Sequence, residues 1–589
     1  MLSRIFAAMC LFAFGGEVRA EGLPSAMYND PVLTVPKVVT VFSHGHPDQI
    51  PLWQEALSRL DNEMKCRSAQ AIAASHRKGM PGLKVIVPNL LREFERDAQS
   101  PMVTLAVAEA LISLDAKEAG PKFVERLSTA STDLRDLVEP ALANWKEPKA
   151  LLLWQERLKQ SPDRRSATNA IRGLLQLGDA TSVPRLREWA LANDVQISIR
   201  LEAARALAVL RPSGFEADAK LLASDVVAAR GISNRLIAVS LLRQHAGPDA
   251  IALLQAFAKD AEPGVAVVAL LRLNELDTAL MVPLIDATLA NRDAAVRLQG
   301  VVALDRNLTL ENIRKLADRM TDVHRDVRTQ ARIALEAAFA KKEWKDAVRS
   351  DAMRILAMND WRGLEQASRL LAKIDHKPAT TRLIAILKHP RPEAFVTAAW
   401  SLQMLAVPET YAPCFDHFES QYAILQLSNS KLNGTMIQAY DEQLSFLAQL
   451  LGKGRYQPAD KMFQSLIPPT PPNLIEIRSG AIWALGLIHE GKKTPGFEGL
   501  LIGRMNAVMP PDVEPDNIRY AAAISLGRLK TDAAIPTLRR FCPVTKPSSH
   551  IVYNACAWSM TQITGEKMLP GEIEQKNIIS QFLYPIKKQ

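Results

Sequence analysis

Along residues 193–210, NDVQISIRLEAARALAVL, apolar and polar positions alternate with a helical period. Ala203, Ala204, Leu207 and Leu210 follow Arg200 by three, four, seven and ten residues, so they share one face of a helix. The same slot recurs at Thr104, Arg135, Arg165, Arg235, Ala266, Arg297, Arg328, Phe395, Arg478, Arg519 and Tyr553. From Thr104 to Arg328 the steps are 31, 30, 35, 35, 31, 31 and 31 residues. A self-similar period of this size marks a stacked array of helical hairpins. A second feature keeps step: 17 to 19 residues after a slot, a Pro often precedes another apolar helix, at Pro121, Pro184, Pro283, Pro413 and Pro536. Pro is tolerated in a first helical turn because its missing N–H has no partner there.

Each unit therefore reads as a Pro-started first helix, a polar turn and an Arg-marked second helix. With an Asp six residues before Arg at Asp194/Arg200 and Asp322/Arg328, and Asp260 in that place ahead of Ala266, the pattern resembles the HEAT-repeat family, in particular its short repeats related to bilin lyases. The resemblance covers most of residues 60–565. It implies an all-α fold, a right-handed α-solenoid of stacked antiparallel helix pairs, with about twelve to fourteen repeats. One short hairpin cannot bury its apolar face alone, so neighbours must stack to make a core. The row Arg135, Arg165, Arg200, Arg235, Arg297, Arg328, Arg478 and Arg519 reads as an inter-repeat ladder, each guanidinium forking to a carboxylate or loop carbonyl of the adjacent unit. Asp194, Asp260 and Asp322 read as its structural partners.

The ends and one interior stretch depart from the period. Arg4, the apolar run Ile5–Phe14 and Val18-Arg19-Ala20 have the order of an export signal, with cleavage expected after Ala20. That run is too short for a lasting membrane span, so the mature chain is expected to be exported, periplasmic or extracellular, without a span. Residues 21–50 read as an extended arm; its His44-Gly45-His46 reads as a surface turn rather than a metal site. Residues 51–415 read as the main array. Residues 416–470 stretch one step to 83 residues and read as an irregular helical insertion or degenerate repeat. Repeats resume over 471–569, and 570–589 form a basic tail.

Charge and cysteines change the picture little. The net charge is +9, which suits an acidic partner. Its local enrichment, Lys341, Lys342, Lys345, Arg349, Lys373, Lys377, Arg382, Lys388 and Arg391, reads first as a solvated helix face. Cys542 and Cys556 read as buried thiols, with a disulfide as the alternative in an oxidising compartment. The sequence nominates no catalytic, cofactor-binding or metal-binding set. The expected function is an exported, non-catalytic scaffold binding another protein through the concave face. An enzyme of lyase type on the same solenoid, or a protein of anionic surfaces, are the alternatives. Nucleic acid is not expected as a partner, and no cofactor is expected.

Overall fold

The computed structural model describes residues 23–583 except 36, 44–47, 97–99, 161–162, 226–227, 429–431, 470–473, 511, 543–549, 569–571 and 579–581. The expected leader and the His44-Gly45-His46 turn lie outside the described residues. Two compact units are distinguished: residues 38–309 with 574–589, and residues 1–37 with 310–573. The stretch read from sequence as one array over 51–415 is thus divided at 309/310, and the arm is divided at 37/38. Periodicity is unbroken at 309/310 and absent from the arm, so it could mark neither boundary.

The N-terminal array consists of α1 (Gln49–Ser58), α2 (Asn62–Arg77), α3 (Val87–Glu95), α4 (Pro101–Ser113), α5 (Gly120–Leu127), α6 (Thr132–Trp145), α7 (Leu151–Lys159), α8 (Arg164–Leu177), α9 (Val183–Leu191), α10 (Ile197–Leu210), α11 (Glu216–Ala223), α12 (Ala228–Leu241), α13 (Pro248–Phe257), α14 (Pro263–Leu276), α15 (Ile285–Leu289) and α16 (Ala294–Arg306). Odd-numbered helices are first members of pairs and even-numbered ones second members. Pro lies in the first turn of α3, α5 and α9, as the sequence pattern requires. Asp61, Ser131, Asp163 and Asp293 cap α2, α6, α8 and α16 by accepting first-turn N–H bonds that have no partner within the helix. Trp53, Phe94, Phe123 and Trp154 fill the core. The indole of Trp154 lies so close to Gly173 that a Cβ there would sit 2.4 Å from its ring. An ion pair between Lys65 and Glu93 (2.6 Å) joins α2 to α3 out of contact with water.

The basic tail read over 570–589 includes a strand. Its first part forms β2 (Ile573–Ile578), which pairs with β1 (Val38–Ser43) in a two-stranded sheet. Beyond it the Phe582 carbonyl accepts from Trp53 Nε1 at 3.1 Å, and Arg67 lies 4.9 Å from the Phe582 ring centroid. A two-stranded ribbon supplies main-chain partners that a lone amphipathic segment would need from a neighbouring helix.

The C-terminal array consists of α17 (Leu310–Arg319), α18 (Arg325–Phe339), α19 (Lys345–Leu356), α20 (Trp361–Lys373), α21 (Thr380–Ile386), α22 (Pro392–Leu405), α23 (Tyr411–Ser428), α24 (Gly434–Lys453), α25 (Asp460–Ser465), α26 (Ile475–Ile488), α27 (Pro495–Asn506), α28 (Asp516–Leu529), α29 (Ile535–Phe541) and α30 (Ile551–Thr564). The stretch 416–470, read as an irregular helical insertion or degenerate repeat, holds most of one pair with long helices, α23 and α24, followed by the short α25. The period was lost because the second helix of this pair runs 20 residues without an Arg near its start; its Tyr440 stacks on Phe395 of the preceding second helix, centroids 4.9 Å apart.

Successive second helices here touch through glycine and serine. A Cβ on Gly486 would lie 2.4 Å from Ser525 Oγ and 2.8 Å from Ser525 Cα; on Gly527 it would lie 2.6 and 2.8 Å from the same atoms of Ser559. The two hydroxyls donate to carbonyls of the preceding second helix, Ser525 to Ile482 and Ser559 to Ala523, both at 2.7 Å. Such close approach leaves α26 buried from Ile477 to Gly486 and α28 buried from Ile518 to Leu529. A helix buried on every side needs cover on every side. Two sides are neighbouring second helices and a third is the first-helix layer. The fourth is covered by the N-terminal arm.

Candidate functional site

The arm crosses the second helices α22, α24, α26 and α28 as an extended segment with one 3-10 turn at Ala26–Tyr28. Each helix contributes a side chain that bonds to its main chain. Trp400 Nε1 of α22 donates to the Pro24 carbonyl at 3.2 Å. Gln449 Oε1 of α24 accepts from the Met27 N–H at 3.2 Å and from Ser25 Oγ at 3.0 Å. Its amide is oriented by its own donation to Ser445 Oγ at 3.2 Å. Tyr520 of α28 donates to the Met27 carbonyl at 2.9 Å. The Asp30 carbonyl accepts from Trp483 Nε1 of α26 at 2.7 Å and from Arg528 of α28 at 3.1 Å.

Side chains of the arm are read as well. Met27 is 0% exposed, a burial of the size that contributes about 2 kcal/mol for an apolar side chain. The ring of Tyr28 packs on that of Tyr520, centroids 5.4 Å apart. The Asp30 carboxylate lies 3.3 Å from Arg528, whose guanidinium is 4.9 Å from the Trp483 ring centroid. Burial, with the facing Asp30 working against it, lowers the Lys453 ammonium below its ordinary value.

Carboxylates gather at one end of this row. Asp441 accepts from the N–H groups of Glu476 (3.2 Å) and Ile477 (2.8 Å), capping α26. Glu476 accepts from Asn517 of α28 at 3.1 Å. Burial pushes Asp441 up to about 6, and it also raises Glu442 and Glu476. Burial and the charge of Glu476 together raise the Tyr28 hydroxyl. Among the described residues no group of three His, Cys, Asp or Glu has a metal-holding arrangement; Asp441 acts as a helix cap. A carboxyl raised by folding contributes stability that is fully present below its unfolded value and is lost as pH rises through its folded value. Lowering pH from 7.5 to 5 is therefore expected to make Asp441 contribute more to the unfolding midpoint of the C-terminal array, against the opposing loss at His376 and His417, whose imidazoles burial lowers. Asp441→Asn, which keeps the capping oxygen without the charge, flattens that dependence. Urea titrations followed by tryptophan fluorescence at both pH values check it.

The arginine row does less between repeats than its spacing suggests. Arg135, Arg200, Arg297, Arg328, Arg478 and Arg519 turn back to carbonyls at or just beyond the end of the first helix of their own pair: Ala130, Ala190, Asn291 and Arg292, Asp322 and Val323, Leu466 and Ile467, and Met505. Those carbonyls have no partner within the helix, and a cation there also opposes the helix dipole. Five of the row reach a neighbouring pair: Arg165 to Asp136, Arg200 to Asn234, Arg235 to Asp260, Arg328 to Glu365 and Arg478 to Glu514. The Asp partners differ accordingly. Asp322 receives Arg328 through its carbonyl, while its carboxylate accepts the His324 N–H at 2.8 Å. Asp260 takes Arg235 and the Glu262 N–H. Asp194 is exposed.

Cys66, Cys414, Cys542 and Cys556 are free thiols. Burial raises the Cys542 and Cys556 thiols, which keeps them neutral. The basic residues at 341–391 are partly built into the scaffold. Arg382 donates to the Leu356 and Met358 carbonyls, Arg349 and Lys345 lie over Phe339, and Arg391 lies over Trp361 and pairs with Glu393.

Residues missed from sequence were Trp400, Gln449, Trp483, Tyr520 and Arg528. A signal was present. Three aromatics stand in TAAWSLQML, SGAIWALGLI and RYAAAISLGRL, second helices with almost no polar face to offer water.

Residues 518–542 match the PBS lyase HEAT-like repeat. The remainder of the two arrays has the same helix-pair architecture. No curated protein matches it in sequence. Among solved structures it is similar to Kap95p with RanGDP, at 11% identity over 88% of this chain and 72% of that one, TM-score 0.48. It is similar to a Kap121p mutant at 12% identity, over 88% and 57% of the two chains, TM-score 0.46. A complex of Kap95 and Nup1 matches at 12% identity, over 88% and 72%, TM-score 0.45.

Proposed function

We propose that this HEAT-like repeat chain is an exported, non-catalytic scaffold that binds another protein along the inner row of second helices in its C-terminal array. The observation that carries the reading is the grip on the arm. Five side chains from four consecutive second helices hold an extended polypeptide by its carbonyls and one N–H. Main-chain bonds of this kind supply affinity for polypeptide, and adjoining pockets supply selectivity. Export rests on the order of Arg4, Ile5–Phe14 and Ala20.

Two measurements test this reading. Terminal sequencing of the protein from the envelope or medium is expected to begin at Glu21; a cytosolic protein retaining Met1 contradicts export. A partner purified with the mature chain is expected to bind the Tyr520→Phe and Arg528→Ala variants at least tenfold more weakly, with helix content unchanged by circular dichroism. Unaltered affinity for both contradicts use of the inner row.

A further inference from the structure

We propose that residues 24–30 are a resident self-ligand, and that the groove across α22, α24, α26 and α28 takes in their place an extended partner segment of the same pattern: Ser, then Met two residues on, an aromatic directly after it, and Asp two further. This rests on the scaffold reading and specifies its ligand.

Three features on the arm's side define the pattern. Met27 is wholly enclosed, so a polar residue there would lose its water without replacement. Tyr28 lies against Tyr520. Arg528 is 5% exposed and carries its charge against Trp483. A buried guanidinium needs an anion, and Asp30 supplies it at 3.3 Å. An occupant without a carboxylate at that position would leave the cation with carbonyls alone.

A fourth feature is an unpaired amide on α22. Gln403 is 0% exposed, and neither its amide oxygen nor its amide nitrogen has a hydrogen-bond partner. It follows Trp400 by three residues on α22 and therefore shares its face. Lys453 of α24 approaches its carbonyl at 3.5 Å. Buried amides are normally paired, and one left unpaired is costly. A donor and an acceptor are thus unused beside the arm's path. A partner segment with a polar side chain opposite Gln403 would gain bonds the arm does not make. The arm's advantage is its tether, which gives it a high effective concentration. Cleavage after Ala20 would leave it with a free end from which it can be displaced.

The test uses the full mature chain, residues 21–589, and a fluorescent peptide of residues 22–33, read by anisotropy. Wild-type protein is expected to bind the peptide weakly, its groove being filled. Met27→Asp in the protein expels the arm, and peptide affinity is expected to rise at least tenfold. Peptides carrying Met27→Asp or Asp30→Ala are expected to lose at least tenfold against that released protein. Asp30→Lys in the protein gives a second route to release should Met27→Asp fold poorly, and Tyr520→Phe added to either variant should weaken binding while keeping the ring. No binding to either released protein, or equal binding of a scrambled peptide, overturns the proposal. So does a wild-type dimer that Met27→Asp dissolves, because it assigns the groove to a second copy. If the peptide fails while the purified partner still responds to Tyr520→Phe and Arg528→Ala, the ligand pattern falls and the scaffold reading stands.

Discussion

Arg478→Ala is expected to destabilise the C-terminal array by about 3–5 kcal/mol, the scale for breaking a buried ion pair from one side. Arg478 is 2% exposed. It donates to the Leu466 and Ile467 carbonyls at 3.2 and 2.8 Å and to both carboxylate oxygens of Glu514 at 3.0 and 2.8 Å. Removing it strands two carbonyls and leaves Glu514 with Arg504 alone, at 2.8 Å. Burial acts to raise the Glu514 carboxyl, yet the two arginines hold it below its ordinary value. The stability it lends is therefore present above its unfolded value and is lost as pH falls through its folded one. Arg165→Ala, in the equivalent slot of another repeat, should cost under about 0.5 kcal/mol, because Arg165 is 77% exposed and its single ion pair is screened. Urea midpoints of the two variants decide this. Equal losses would mean that the slot acts identically in every repeat, contrary to the contacts described.

Gly486→Ala is expected to cost about 1–3 kcal/mol, although alanine favours a helix over glycine by about 1 kcal/mol. The added Cβ would meet Ser525 at its Cα, 2.8 Å away, and α26 and α28 would have to separate. At Gly503 of α27 no atom lies within 4 Å of the added Cβ, so Gly503→Ala should stabilise by up to about 1 kcal/mol. Thermal midpoints moving in opposite directions confirm that second helices, and not helices in general, are held at glycine contact. A stabilised Gly486→Ala would contradict it.

The helix pairs were legible because their cause is local. Spacing of Ala and Leu, Pro in first turns and Arg near the start of second helices all act within one hairpin. The direction of each arginine was not legible. Arg478 and Arg165 occupy the same slot, but only the three-dimensional position of Glu514 makes one of them indispensable. The pair α23 and α24 was obscured because its second helix, at 20 residues, is longer than the others and carries no Arg near its start. The arm was read as extended, but the helices it docks on were not legible. Its residues have no period of their own, and their partners Trp400, Trp483 and Tyr520 lie 376, 453 and 493 residues from the arm residues they hold. What the sequence did carry was a second-helix composition with no face suited to water, SGAIWALGLI above all. Such helices require a covering segment, and the only question left open was which one.

Placing a photoreactive benzoylphenylalanine at position 28 of the full chain tests the central claim most directly. The account predicts intramolecular crosslinks to residues 516–529, where Tyr520 faces the arm, identified by mass spectrometry of the digested protein. A crosslink distributed over other helices, or none within the chain, would contradict the placement of the arm on the second helices of the C-terminal array.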